Sequence, residues 1–272
     1  MSQAIQAITM HDEDIIALQQ AKQILENPGL AAKITNAIGS PIEKALDNLP
    51  ENWNKRIGDM TQLALGKAIN VATSSIDHQS TDKPSNKWHK LAVATTGGVG
   101  GTFGLTALAV ELPISTTIML RSIADIARSE GEDITSLETK MACMEVFALG
   151  GHSEEDDGTE SGYFAVRAAL AQTVKHSVDY VITKGLIEDG APILIQLIIK
   201  VANRFSVQVS QKAAAQLLPA IGAAGGAAIN LLFIDHFQDM ARGHFVVRRL
   251  ERKYGATLVE STYRGLQPPV GV

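Results

Sequence analysis

The sequence predicts an all-α fold, a compact multi-helix bundle, and three observations carry that reading. Apolar residues recur at three- and four-residue spacing through most segments. No stretch alternates with the two-residue period of a strand, and nothing resembles the strand-to-helix alternation that builds a nucleotide fold. The 272 residues are 45% hydrophobic and 19% charged, which excludes a wholly disordered chain. Aromatics make up only 5% and glycines number 23, so a core of Ala, Leu, Ile and Val with closely spaced backbones is expected.

The elements follow in order. Ile15, Leu18, Ala21, Ile24 and Leu25 share one helix face, and Asn27-Pro28-Gly29 ends that helix. A second helix covers about 30–38 and breaks at Gly39-Ser40-Pro41, with Ser40 as N-cap and Pro41 in the first turn of the next. That third helix stops before Leu49-Pro50, and a fourth runs over about 51–75. Residues 77–87 are polar and hold Pro84, a loop or short linker. A glycine-rich apolar segment then ends at Glu111-Leu112-Pro113, and a helix covers 115–130. Ser136 caps a helix to Phe147, and residues 150–162 read as loop. Long helices follow over 163–187, 193–209, a stretch after Lys212, and 229–254, the last stopped by Gly255. The expected domain plan is a tail at 1–14, one helical domain at 15–256, and a C-terminal tail at 257–272 with Pro268 and Pro269.

Glycines stand four apart at Gly97/Gly101, Gly100/Gly104 and Gly222/Gly226. On helices such pairs leave a groove for a second backbone, so two Gly-rich apolar central helices that cross each other are expected. Residues 91–110 and 213–234 are uncharged and reach the roughly 20 residues of a bilayer span. Their Gly, Thr and Asn content drives insertion weakly, which favours buried helices of a water-soluble bundle. The string TTGGVGGTFG lacks the Lys and register of a phosphate loop, so no nucleotide is expected. A net charge of −5 speaks against nucleic acid as a partner. No basic-then-apolar leader opens the chain, and its lone cysteine, Cys143, excludes an internal disulfide; both point to a cytoplasmic setting. Cys143, in the apolar run Met141-Ala142-Cys143-Met144, is expected to be an inert core thiol.

The sharpest polar string runs from Asp235 to His244. His236 and His244 are eight residues apart, about 12 Å along a helix, too far to share one ion. His236 with Asp239 supplies only two ligands, so a divalent metal is a weak alternative and no cofactor is expected. His244 falls within the apolar stripe Phe233, Phe237, Met240, Val247, Leu250 and Tyr254, the place of a buried, hydrogen-bonded core histidine. Arg242, Arg248, Arg249, Arg252 and Lys253 gather on the other face with Phe245 among them. Such a sector suits an anionic membrane surface or an acidic partner; it equally suits a solvated face paired to other helices, for example through Glu251.

Arg121, Asp125, Arg128 and Glu132 step along one helix face as a ladder of ion pairs. Glu111 sits between apolar neighbours on both sides, so a buried carboxylate needing a cation is expected, with Arg121 or Arg128 to supply it. The acidic loop at 152–157 lacks EF-hand spacing, and no nucleophile elbow is present.

The string LPAIGAAGGAAINLLFIDHFQDMARGHFVVRRLERKYG, residues 218–255, resembles the EcsC family of bacterial proteins, named for a protein encoded beside an ABC transporter. VELPISTTIMLRSIADIARSEGED, FALGG, GYFAVRAAL and NPGLAAKITNAIGSPIEKAL extend the resemblance over roughly 15–255. It implies no established activity and no catalytic residue. The polar positions it would share are Glu111, Arg121, Asp125, Arg128, Tyr163, Arg167, Asn230, Asp235, His236, Asp239, His244 and Arg248. Three functions are consistent with these residues. One is a non-enzymatic helper at the inner face of the membrane, acting on lipid or a transporter. Another is an enzyme, metal-dependent or not, built on Glu111, His236, Asp239 and His244. The third is a structural module that inserts its apolar segments into bilayers.

Overall fold

The computed structural model describes residues 9–26, 29–39, 42–47, 49, 52–74, 105–151, 162–184, 192–216 and 222–267. These residues form α1 (Asp12–Glu26), α2 (Leu30–Ile38), α3 (Glu43–Leu46), α4 (Trp53–Ser74), α5 (Leu105–Ser129) and α6 (Leu137–Glu145). A 3₁₀ turn (Val146–Ala148) precedes α7 (Gly162–Lys184), α8 (Pro192–Gln216), α9 (Gly222–Tyr254) and α10 (Ala256–Gly265). No strand occurs among the described residues, so the fold is all-α.

Helix α9 is the axis, with 33 residues spanning about 50 Å. Helices α1, α2, α5, α8 and α10 and the 3₁₀ turn pack on it, and α4 packs on α5 and α8. Side-chain pairs fix the directions. Helix α5 runs parallel to α9, since Glu111 meets Asn230, Ser122 meets Gln238, and Glu132, just past α5, meets Arg248. Helix α7 is parallel too, through Tyr163 with His244 and Arg167 with Glu251. Helix α1 runs the other way, with Asp14 on Lys253 and Leu25 against Gly243.

Buried aromatics gather in groups. Phe147, Phe205, Phe233 and Phe237 form one cluster with ring centroids 4.9 to 5.9 Å apart. A second group, Tyr163, Phe164 and Tyr263, has ring centroids 5.0 to 5.8 Å apart, so aromatic clusters sit within the aliphatic core, which the low aromatic content did not foretell.

Ser136 caps α6 as its position predicts, accepting from the Thr139 N–H at 3.1 Å. Four elements differ from the sequence reading. Helix α5 continues through Pro113, whose missing N–H and ring cost about 3 kcal/mol in a helix interior. The buried side chains on either side, Leu108 and Leu112 before it and Ser115, Thr116 and Met119 after it, hold the two halves to one axis. Helix α8 runs unbroken through Lys212, because that lysine is buried and paired across the core rather than exposed at a turn. Helix α9 starts at Gly222, so its glycine segment is its own first turns. Residues 257–265, expected to be tail, belong to α10, which buries Val259 and Tyr263. Buried Lys22 donates to the carbonyls of Tyr263 at 3.0 Å and Leu266 at 2.7 Å, a cation at the C-terminus of α10.

The expected crossing of glycine helices involves Gly97 to Gly104, which lie outside the described residues, as do Ser40, Pro41, the linker at 77–87 and the acidic loop at 152–157. The close helix approach that is described uses Gly243. A Cβ there would stand 2.6 Å from Leu25 Cγ and 3.2 Å from the Ala21 carbonyl oxygen. Among the described residues, no helix is long and apolar enough to cross a membrane.

Candidate functional site

The polar candidates stand at successive levels of α9. Asn230, His236 and His244 are separated by six and eight residues, about 9 and 12 Å along its axis.

At the first level Glu111 Oε1 accepts from Lys212 Nζ at 2.5 Å and from Asn230 Nδ2 at 3.1 Å. All three side chains are buried. The cation foreseen for Glu111 is thus Lys212 of α8, not Arg121 or Arg128 of its own helix. The Lys212 ammonium also lies 4.9 Å from the centre of the Phe233 ring. Burial lowers the Lys212 pKa, and Glu111 works against that fall. Glu111 Oε2 is buried with no hydrogen bond.

His236 is buried at the second level with neither ring nitrogen hydrogen-bonded. Its ring lies against Gly150: a Cβ on that glycine would be 2.5 Å from His236 Cε1 and 2.8 Å from Met240 Sδ. Gly150 also has φ +72°, a conformation that glycine tolerates best. Burial, helped by the charge of Lys33, drives the His236 pKa down to about 3. Asp239 is engaged elsewhere, by Lys33 at 3.0 Å and Arg242 at 2.7 Å. The pair His236 and Asp239 is therefore split between core and surface. No group of three or more His, Cys, Asp and Glu stands ready for a metal among the described residues.

The third level joins α6, α7 and α9. His244 Nδ1 shares a 3.0 Å hydrogen bond with the Tyr163 hydroxyl, and its Nε2 lies 3.9 Å from Glu145 Oε2. Burial holds the His244 pKa well down and pushes that of Tyr163 up. Beside them Arg167 binds Glu251 through two bonds of 2.7 and 3.0 Å.

Phe245 does not stand on an arginine face. It is fully buried, because the side of α9 that runs out to solvent at Arg252 and Lys253 is covered by neighbours about two turns earlier. The basic residues of that end are matched. Arg248 binds Glu132 and Glu138, Arg249 binds Glu130 and Asp14, Arg252 binds Glu132, and Lys253 binds Asp14. Four cations meet four carboxylates there. Of the ladder on α5, Arg128 pairs with Asp125 at 3.0 Å, whereas Arg121 carries a buried Nε with no hydrogen bond. Asp235 is partly exposed. Glu111, His236 and His244 thus have different neighbours and form no common centre.

Sequence reasoning missed Lys212, Glu145, Gly150 and Gly243. Only Glu145 carried a signal: like Glu111 it is a single carboxylate inside an apolar run, Met141 to Leu149.

No curated protein and no solved structure matches the chain. A family model does match, across residues 12–250, and the chain belongs to the EcsC protein family.

Proposed function

We propose that this EcsC-family chain is a non-enzymatic helper that associates peripherally with the cytoplasmic face of a membrane, acting on lipid or on a transporter. The observation that carries the reading is an exposed apolar pair. Val110 and Ile114 stand one turn apart on α5, 68% and 46% exposed, where the uncharged stretch 91–110 ends. Leu63, on α4, is a further exposed large apolar side chain, 64% exposed. Large apolar side chains held in water gain about 1.5–3 kcal/mol each on burial, enough for reversible contact with a lipid surface. The charge-matched end of α9 supplies no net attraction for anionic lipid, so the contact is apolar in this reading. The separation of Glu111, His236 and His244 favours it over a catalytic one.

Co-sedimentation with neutral and with anionic vesicles tests the proposal. The wild-type chain should be recovered with both, and the double variant Val110→Asp/Ile114→Asp should lose recovery about tenfold. Arg248→Glu/Arg249→Glu should leave recovery unchanged if the variant stays folded. A wild-type chain that ignores vesicles, or a double variant that still binds, refutes the reading.

A further inference from the structure

Glu145 is the last residue of α6, where the negative end of the helix dipole disfavours a carboxylate. Its side chain is buried, and no described residue gives it a hydrogen bond. His244 of α9 faces it at 3.9 Å with a ring nitrogen that is itself unbonded, while the other nitrogen is taken by Tyr163 of α7. Two cations lie near enough to attract it, Arg167 of α7 and Arg248 of α9. Both are already committed, Arg167 to Glu251 and Arg248 to Glu132 and Glu138. Glu251 and Glu138 in turn repel a charge on Glu145. Ionised, Glu145 therefore places in the seam of three helices a negative charge that only shared cations offset; protonated, it is a neutral group there, and its proton can point toward the free nitrogen of His244.

We propose that Glu145 is a proton-operated latch: in its neutral form it lets α6 seat against α7 and α9, and on ionising it loosens that seat. Burial is the main force on the group and pushes its pKa up to about 7, with Arg167 and Arg248 pulling the other way. The folded value exceeds the unfolded one, so the seated form is undisturbed in acid and weakens as pH rises from the ordinary carboxylate range through neutrality.

The protein carries its own reporter. Cys143, the single cysteine, lies two residues before Glu145 on the same helix and is buried, with its thiol pKa raised by burial and by Glu132. It reacts only when α6 lifts. The rate of Cys143 modification by a water-soluble disulfide reagent is measured from about pH 5.5 to 8.5 in the wild type and in Glu145→Gln. The thiol is the same in both, so the ratio of rates isolates the latch. The ratio should be near one in acid and at least tenfold higher at the alkaline end, since one unit of pKa shift is worth a factor of about ten. A ratio that stays flat with pH overturns the proposal. Should E145Q not fold, the Glu145 side-chain carboxyl is followed by ¹³C NMR in the unaltered protein, together with its Cys143 rate. A titration midpoint above about 5.5, tracked by a rise in that rate beyond thiolate formation alone, supports the latch. A midpoint below that value, near an ordinary carboxylate, overturns it.

Discussion

The Glu111 carboxylate lies 2.5 Å from the Lys212 ammonium, and both side chains are shut away from water. Such a pair is held more by the penalty of leaving one member alone than by its own attraction. Lys212→Met should cost about 3–5 kcal/mol in urea unfolding, because it strands the carboxylate. Glu111→Leu/Lys212→Met should recover most of that loss. A double variant as unstable as the single one would mean that Lys212 acts through its packing on Phe233.

Phe245 and Arg252 lie two turns apart on one helix yet differ in their surroundings. Phe245→Ala should destabilise by about 3–5 kcal/mol, the range for a large aromatic lost from a core. Arg252→Ala, at an exposed ion pair, should cost less than about 1 kcal/mol. Thermal melts of the two variants decide the matter.

Gly243 lets α1 rest on α9. Gly243→Ala should cost about 1–3 kcal/mol by overpacking against Leu25 and the Ala21 carbonyl. In a double-mutant cycle with Leu25→Ala, the glycine substitution should cost less in the truncated background. Equal costs in both backgrounds would locate the strain elsewhere.

His236 and His244 are neutral in the fold and charged in the acid-unfolded chain. Their folded pKa values are lowered, so their stabilising effect is complete above the ordinary histidine pKa and is lost as pH falls below it. For His236 that loss runs down toward pH 3. Each histidine should contribute a slope of up to about 1.4 kcal/mol per pH unit. Urea titrations between pH 7 and 4 should show stability falling with acid, and His236→Phe should flatten the slope if it folds. An unchanged slope would show that His236 is not the group responsible.

Truncation after Gly255 removes α10. Lys22 then loses both carbonyl acceptors, and the cover of Val259 and Tyr263 goes with them. The shortened chain should melt at least several degrees lower, although the matched family segment already ends at residue 250.

The helical character and most helix ends were legible because they depend on neighbours in sequence. Ser136 beside Leu137 and Gly255 after Tyr254 are local signals, and the structure uses both. Pro113 and Lys212 were misread as breaks, since what carries the helix past each is packing from elsewhere. The partner of Lys212 is 101 residues away. Phe245 was misplaced for a related reason. Helix α9 is enclosed on most sides along its middle, so it has no single apolar stripe from which an outer face can be inferred. The burial of Glu111 could be read from its flanks, and that of His244 from the stripe around it. Their partners, Lys212 and Tyr163, could not.

Because α9 is the axis and follows most of the helices that pack on it, the order of synthesis runs against the order of packing. Ribosomes deliver helices α1, α5 and α8 before the element on which all three rest. Until Gly222 to Tyr254 emerges, Glu111 has no Asn230, Tyr163 has no His244, and the phenylalanine cluster lacks two of its four rings. The nascent polypeptide therefore stays open, with sticky surfaces exposed, until α9 has been made, and any chain stopped before that point is a candidate for chaperones or proteolysis.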